Sequence, residues 1–310
     1  MKSILTKTAD ILFSYLGLEA QTKYDYFKRT KRFLNLKNPK SFNEKLIHRR
    51  LYPLPVFSTL ADKIAVRDFV KQKVGGKYIV PLYGTYDKLT HADVEKLPES
   101  FVLKANHGCG FNKLVFDKNK EDVGQLIERA NSWLGIDYSK MFNEKHYAKI
   151  RPKLMAEKLL LKNDKVPEDY KISVFNDAKK DAHFIYIQID TDRFGNRKKA
   201  LFLEDWTPAP FVLLGYESNV NDYIDKKPPC LNEMLYVAKI LAQGFGYCRV
   251  DLYVIEDHIY FGEMTFTPQG GSYIFNPPEW DQILGEKFGW PEKNYSLDVL
   301  VAMKANSIML

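Results

Sequence analysis

At 310 residues the chain is longer than a usual single domain, so we expect two or three lobes. Its composition, 45% hydrophobic and 27% charged without repeats or low-complexity tracts, excludes disordered and fibrous proteins. The absence of any run of about 18 apolar residues excludes a membrane-spanning helix. Three cysteines without CxxC spacing, Cys109, Cys230 and Cys248, predict neither a disulfide framework nor a cysteine metal site and fit a reducing cytosol.

The net charge of +7 is concentrated at the N-terminal end. Residues 1–50 hold 12 Lys or Arg and 4 Asp or Glu, a balance of +8, so the remaining 260 residues sum to −1. Such a segment is either a solvated helical face or a surface that meets an acidic polymer, anionic lipid or nucleic acid. Nucleic acid is not expected, because no zinc-finger, RRM or KH pattern accompanies the charge.

The first 75 residues predict helices. MKSILTKTADILFSYLGL is interrupted by charged residues, which favours an amphipathic helix over a signal peptide. NEKLIHRRLY has helical spacing and follows a capping box made by Ser41 and Glu44. STLADKIAVRDFVKQKVG predicts one continuous helix that ends at Gly75 and Gly76.

The rest of the chain mixes strands and helices. DVEKL predicts a short helix, and SFVLKANHGCGFNKLVF predicts a strand, a Gly-rich turn and a second strand. A helix is predicted at EDVGQLIERANSWLGI, whereas KLMAEKLLL fits either a strand or a helix. Two strands around NDAKKD, the helix LNEMLYVAKILAQGF, a hairpin at 248–266 and the helix PPEWDQILGEKF complete the order. This order predicts an α+β enzyme with more than one lobe.

The hairpin at 248–266 carries two acids in strands that should be buried. If residues 256–258 form a three-residue loop, Asp251 lies opposite Glu263 and Arg249 opposite Thr265. Opposed carboxylates repel each other unless a cation lies between them, and magnesium prefers oxygen ligands. The alternative is a two-residue turn, which shifts the register, separates the acids and allows a salt bridge between Arg249 and Glu263.

Lysines and acids elsewhere have ordinary explanations when taken singly. Lys104 ends an apolar strand before Gly108 and Gly110, whose bare backbone could approach phosphates, yet the segment is neither a P-loop nor a GxGxxG fingerprint. Glu157 interrupts an apolar run, and Lys171 lies on an apolar strand. Their order along the chain, followed by the acids of the hairpin, is more specific than any one of them.

That order resembles the ATP-grasp enzymes, which are ATP-dependent carboxylate–amine ligases. LADKIAVRDFV, FVLKANHGCGFNK, LMAEKLL, PEDYKISVFN, QIDTDRFGN, RVDLY and FGEMTFTPQGG more closely resemble the TupA-like family named for teichuronopeptide biosynthesis. Members of that family usually lie among genes for capsule and other surface polysaccharides. The resemblance spans roughly residues 40 to 290.

The resemblance implies an α+β ATP-grasp fold, in which two α+β subdomains clamp ATP, with a helical N-terminal segment. We expect a basic helical region at 1–83, a small subdomain with the Gly-rich loop at 84–156, and a large subdomain with the hairpin at 157–310.

The resemblance also implies roles for matching residues, with ATP and magnesium as cofactors. The residues implied to bind ATP are Lys63, Lys104, His107, Gly108, Gly110, Glu157, Leu159 and Lys171. Asp251, Glu263 and Thr265 are implied to hold magnesium. Arg249 and Lys104 are implied to act in catalysis, and Asp190 and Arg193 to line the acceptor side.

One position departs from the pattern. Many ATP-grasp enzymes have ExN on the second metal strand, whereas Glu263 is followed here by Met264 and Thr265. A threonine hydroxyl is a weaker magnesium ligand than an asparagine carbonyl, so the expectation of two full metal sites is weakened.

The expected reaction joins an amino acid or other amine to a uronic acid of an anionic surface polysaccharide or its precursor, through an acyl phosphate. The expected location is cytoplasmic, with peripheral contact at the inner membrane face as a further expectation. A rival class is a metal-dependent glycosyltransferase that uses the DxD of Asp190, Thr191 and Asp192. A second rival is a non-catalytic nucleotide-binding protein.

Overall fold

The computed structural model describes residues 16–177, 182–191 and 198–303. Its α-helices are α1 (Leu18–Thr30), α2 (Phe42–Leu51), α3 (Val56–Ala61), α4 (Val66–Val74), α5 (His91–Glu95), α6 (Val123–Trp133), α7 (Tyr138–Phe142), α8 (Leu231–Ala242), α9 (Trp280–Lys287) and α10 (Leu297–Ala302). In the part of the chain that is described, no helix combines the length and the hydropathy needed to cross a membrane.

The strands form two larger sheets and one small pair. They are β1 (Leu82–Tyr86), β2 (Phe101–Ala105), β3 (Asn112–Val115), β4 (Leu154–Glu157), β5 (Asp169–Asp177), β6 (Ala182–Thr191), β7 (Lys198–Leu203), β8 (Val212–Leu213), β9 (Glu217–Ser218), β10 (Tyr247–Ile255), β11 (His258–Thr265) and β12 (Phe275–Asn276). One sheet has the order β1–β4–β2–β3, the other β11–β10–β5–β6–β7–β9, and β12 pairs with β8. This mixture confirms the predicted α+β class.

The sheet β1–β4–β2–β3 has its own hydrophobic core inside residues 86–156, shared with α5 and α6. Leu103 and Phe101 of β2 are fully buried in it. The segment that fitted either a strand or a helix is the strand β4, whose residues are all buried. A strand buried on both faces has no alternation in its sequence, which is why periodicity left the choice open.

The larger sheet is covered by helices from both ends of the chain. Residues of α3, α4 and α8 share one core with β5 and β10, and α2 and α9 share a second core with the other face. Helices α2, α3, α4, α8 and α9 therefore pack on this sheet. The division into three regions with boundaries at 83 and 156 stays a prediction.

Two features of the N-terminal helices can be compared with the sequence predictions. The capping box is confirmed, because Ser41 and Glu44 exchange hydrogen bonds at the start of α2. The continuous helix over 58–75 is wrong, since the chain leaves the helix between α3 and α4. The carboxylate of Asp62 accepts from the backbone N–H of Ile64 at 2.8 Å, a local bond that competes with helix continuation. The helix predicted before residue 16 lies outside the described residues.

Arg49 of α2 joins the helix to the larger sheet. Its guanidinium is almost fully buried and donates to the backbone oxygens of Tyr247 at 3.0 Å and Phe266 at 2.8 Å. It also forms a two-pronged ion pair with the buried carboxylate of Glu292. Every one of these partners is buried, so removing Arg49 leaves acceptors and a charge without compensation.

We therefore predict that Arg49→Met lowers the free energy of unfolding by about 3–5 kcal/mol, because Glu292 becomes an uncompensated buried charge. Urea unfolding followed by circular dichroism measures the change. The exposed Arg129→Met on α6 is the control, expected within about 0.5 kcal/mol of the natural chain. If Arg49→Met cost no more than this control, the ion pair would not hold α2 in place.

Candidate functional site

A cavity of about 810 Å³ lies between the two larger sheets, with residues of β2 and β4 on one side and of β5, β10 and β11 on the other. It is lined by most of the residues that the sequence singled out. These are Lys63, Lys104, Gly108, Gly110, Glu157, Leu159, Lys171, Asp190, Arg249, Asp251, Glu263 and Thr265. Arg193 lies outside the described residues.

The hairpin places its two acids opposite each other by a route that the sequence analysis did not predict. The turn consists of only Glu256 and Asp257, both with positive φ, which suits a tight hairpin turn. The predicted three-residue loop is therefore wrong. A β-bulge at Gly262 then moves the register back by one residue, so Asp251 still pairs with Glu263.

Asp251 lies between two cations. Its carboxylate accepts from Arg249 Nε at 2.7 Å and Nη2 at 2.8 Å, and from Lys171 Nζ at 2.7 Å. Lys171 also contacts Asp169. Burial would raise the pKa of the Asp251 carboxyl, but the charges of Arg249 and Lys171 hold that pKa below its ordinary value. Asp251 is therefore ionised at neutral pH.

Glu263 is more open to the cavity than Asp251. Its carboxylate accepts from Thr265 Oγ1 at 3.1 Å, lies 3.2 Å from Arg249 Nη2 and lies 3.7 Å from Lys63 Nζ. The salt bridge between Arg249 and Glu263, which was the alternative to opposed acids, thus coexists with the opposed pairing. The Arg249 guanidinium therefore bridges the carboxylates of Asp251 and Glu263.

A second charge cluster lies on the wall formed by β2 and β4. Lys104 forms an ion pair with Glu157, and Arg67 Nη1 lies 3.6 Å from the other oxygen of that carboxylate. Burial would lower the pKa of Lys104, but Glu157 holds it above its ordinary value. Arg67 was missed by the sequence analysis, because one arginine on an amphipathic helix has no distinguishing pattern.

The Gly-rich loop is attached to the break between α3 and α4. Lys63 donates from its backbone N–H to Asn106 O at 3.2 Å and from Nζ to Gly108 O at 2.5 Å. Gly110 has φ of 82°, a conformation that favours glycine. His107 is buried under the loop and does not line the cavity; its Nε2 lies 3.2 Å from Ile136 O.

The two ends of the cavity differ in chemistry. One end is apolar, as a heterocyclic base requires, and is lined by Val80, Val102, Leu159, Leu160, Val166 and Pro167. The other end is lined by Arg50, Tyr138, Glu144, Tyr147, Thr267 and Gly270, none of which the sequence analysis singled out. Asp190 also lines the cavity and accepts from Gln188 Nε2 at 2.7 Å.

The oxygen ligands in the cavity suit a magnesium ion that shares its coordination with phosphate. Asp251, Glu263 and Thr265 offer carboxylate and hydroxyl oxygens, which magnesium prefers. Among the described residues, no three His, Cys, Asp or Glu side chains are grouped as a complete metal site. The remaining positions would therefore come from water and phosphate, as is usual for magnesium at nucleotide sites.

Comparison with known proteins identifies the family. The family model described as TupA-like ATPgrasp matches residues 44–289, which is most of the chain. The chain belongs to this family. As a TupA-like ATP-grasp protein it has the ATP-grasp fold and is an ATP-dependent ligase of the carboxylate–amine class. No curated protein matches it.

Solved structures similar to this TupA-like protein are distant. D-alanine–D-alanine ligase from Bacillus anthracis, complexed with ATP, has 16% identity and a TM-score of 0.40, covering 79% of this chain and 71% of that one. The corresponding ligase from Helicobacter pylori has 15% identity and a TM-score of 0.41, covering 74% and 60%. Phosphoribosylamine–glycine ligase from Thermotoga maritima has 13% identity and a TM-score of 0.39, covering 76% and 56%.

The bulge generates a prediction about Gly262. A Cβ at this position would lie 3.0 Å from the carbonyl oxygen of Asp251 and 3.2 Å from the Tyr253 ring. Gly262→Ala therefore strains the bulge, and we expect a loss of about 1–2 kcal/mol in the free energy of unfolding. Urea unfolding measures it, with Gly76→Ala as the control, because a Cβ there meets only Lys71 at 3.8 Å. Equal stability of the two variants would contradict a sterically required glycine.

Proposed function

We propose that the protein joins the carboxyl group of a uronic acid, in an anionic surface polysaccharide or its precursor, to an amino acid or other amine. The observation that supports this proposal is the set of cations around the opposed acids Asp251 and Glu263. Lys63, Lys171 and Arg249 lie within ion-pair distance of these carboxylates, and all five residues line one cavity with an apolar end. Such an arrangement suits a nucleoside triphosphate with its metal.

The reaction proceeds in two steps. A carboxylate oxygen of the acceptor attacks the γ-phosphorus of ATP, and the bond from that phosphorus to the β,γ-bridging oxygen breaks. ADP is released, and the acceptor carboxyl is now an acyl phosphate. The amine, after losing one proton, then attacks the acyl carbon. The bond from that carbon to the phosphate oxygen breaks, and phosphate leaves with the second amine proton as the amide forms. Neither step needs a side-chain nucleophile, so positioning and electrostatic stabilisation supply most of the rate.

The protein's own charges perform the positioning. Lys104, held protonated by Glu157, and Lys63, beside the Gly-rich loop, would neutralise the phosphate oxygens. Arg249 has a planar fork suited to the acyl phosphate or to the phosphate that leaves it. Asp251, Glu263 and Thr265 would hold magnesium, which supplies further neutralisation of the transferred phosphoryl group.

The basic N-terminal segment supports an anionic acceptor. Exposed cations after α1, including Lys31, Arg32 and Lys37, give a surface that would attract a polyuronate. We propose that this surface holds polymeric acceptor near the cavity, in the cytoplasm, and that peripheral contact with anionic lipid at the inner membrane face is its second use. Nucleic acid is not proposed as a partner.

The function is tested by incubating the protein with ATP, magnesium, oligoglucuronate and each of the standard amino acids. We expect release of ADP and phosphate that requires both the uronate and an amine, together with a product whose mass shows loss of one water. The KM for polymeric uronate should be lower than for monomeric glucuronate and should rise with salt, because charge attraction is screened. Binding to anionic vesicles but not to oligoglucuronate would instead favour the membrane role of the basic surface.

Two results would count against the ligase. Stabilisation by UDP-sugars and not by ATP would favour the glycosyltransferase, for which Asp190 and Thr191 line the cavity while Asp192 lies outside the described residues. Binding of ATP without turnover for any amine and uronate pair would favour a nucleotide-binding protein without catalytic activity.

The metal role is tested with Asp251→Asn. This change removes the charge that would attract magnesium, so we expect ATP with magnesium to raise the melting temperature of the natural protein but not of the variant. Asp251 also balances Arg249 and Lys171, so Glu263→Gln, at a more exposed position, is measured as a second variant. Exposed Asp225→Asn is the control. An undiminished magnesium-dependent shift in both Asp251→Asn and Glu263→Gln would refute the assignment.

A further inference from the structure

Arg50 is a cation at the cavity wall that has no acceptor in the described part of the chain. Its Nε is buried without a hydrogen-bond partner, and no hydrogen bond or ion pair involves its guanidinium there. Arg49, the preceding residue, has three partners. Burial lowers the pKa of Arg50, and the charges of Glu144 and Asp25 act on it only through space, without a hydrogen bond among the described residues, so its desolvation is not fully offset. Such a group at a cavity wall is typical of a binding site for an anion.

The loop at Pro268–Gly271 leaves space for this guanidinium. Gly270 has φ of 57°, and a Cβ on it would lie 2.9 Å from Arg50 Nη1. Any other residue at this position would therefore displace the guanidinium. The loop directly follows β11, so Arg50 lies at the end of the strand that carries Glu263 and Thr265.

Glu144 is the acid at the same end of the cavity. It is buried, accepts from Thr267 Oγ1 at 2.5 Å, and lines the cavity together with Arg50. Burial raises the pKa of its carboxyl, which makes Glu144 a stronger base than an exposed glutamate. The charges of Glu144 and Arg50 act on each other, yet among the described residues no hydrogen bond or ion pair joins them, so a ligand can contact both.

We infer that Arg50 and Glu144 form the subsite for the amine and that this amine is a zwitterionic α-amino acid. Its carboxylate binds the Arg50 guanidinium, and its ammonium group faces Glu144. The ammonium gives one proton to the Glu144 carboxylate, and the neutral amine then attacks the acyl carbon of the acyl phosphate. The bond from that carbon to the phosphate oxygen breaks, and phosphate leaves with the second amine proton as the amide forms. This inference rests on the proposed function and adds the class of the amine and the residues that select it.

The charges around Glu144 place the subsite next to the opposed acids. Besides Arg50, the charges of Glu263 and Arg249 act on the Glu144 carboxyl. Tyr138 and Tyr147 line the wall beside Glu144 and offer apolar surface to a side chain. An amine with no carboxylate would leave Arg50 without a partner, which selects against it.

The test compares each amino acid with its decarboxylated counterpart, such as glycine with methylamine, in ADP release at saturating ATP, magnesium and oligoglucuronate. We expect the natural protein to prefer the best amino acid over its counterpart by at least about 10-fold in kcat/KM, since charge-assisted hydrogen bonds discriminate by this factor or more. Arg50→Met should raise the KM for that amino acid by about 10-fold or more. It should leave the KM for ATP unchanged, and exposed Arg129→Met on α6 should behave as the natural protein.

The outcomes separate the inference from the proposed function. Amine-dependent ADP release without preference for the carboxylate, or an Arg50→Met variant with an unchanged KM for the amino acid, overturns the inference while the ligase stands. A raised KM for uronate in place of the amino acid shows that Arg50 binds the acceptor, which also overturns it. No amine-dependent release in the natural protein refutes the ligase itself. Arg50→Lys, which keeps the charge without the fork, replaces Arg50→Met if that variant does not fold, and a smaller rise in KM is then expected.

Discussion

Charge compensation between buried side chains is the constraint on which the cavity depends. Asp251 lies between Arg249 and Lys171, and Glu157 pairs with Lys104. Each of these charges, if left alone in the cavity wall, would cost several kcal/mol of desolvation. Phosphate can take the place of a carboxylate beside the cations, and a divalent ion can take the place of a cation beside the carboxylates. A nucleotide that enters with its metal therefore leaves no charge without a partner.

Two local irregularities of the backbone bring these charges together. The tight turn at 256–257 shifts the hairpin register by one residue, and the bulge at Gly262 shifts it back, so Asp251 and Glu263 share a face. The break in the helix at Asp62 places Lys63 against the Gly-rich loop. A regular two-residue hairpin would separate the two acids from each other. The irregularities thus belong to the site, as bulges next to functional sites often do.

The sequence predicted the helices and strands more accurately than it predicted the hairpin bulge and the helix break. Strand alternation correctly placed Asp251 opposite Glu263, although through a three-residue loop that does not exist, because two compensating shifts leave the same parity. Hydrophobic periodicity could not detect the helix break, since its cause is a polar side chain, Asp62, which accepts from the backbone N–H groups of Ile64 and Ala65. The sequence did not single out Arg67 and Glu144, because their burial comes from tertiary packing, which a local sequence pattern does not show.

The two arginines at the end of α2 show why packing decides function here. Consecutive helical residues point about 100° apart, so Arg49 and Arg50 cannot both face the core. In sequence both are basic residues in the last turn of a helix, where cations suit the helix dipole. The bonds of Arg49 to Glu292 and to the backbone of β10 set the rotation of the helix about its axis. With that rotation set, Arg50 lines the cavity, so the residue that anchors the fold also positions the residue that we propose binds the amine.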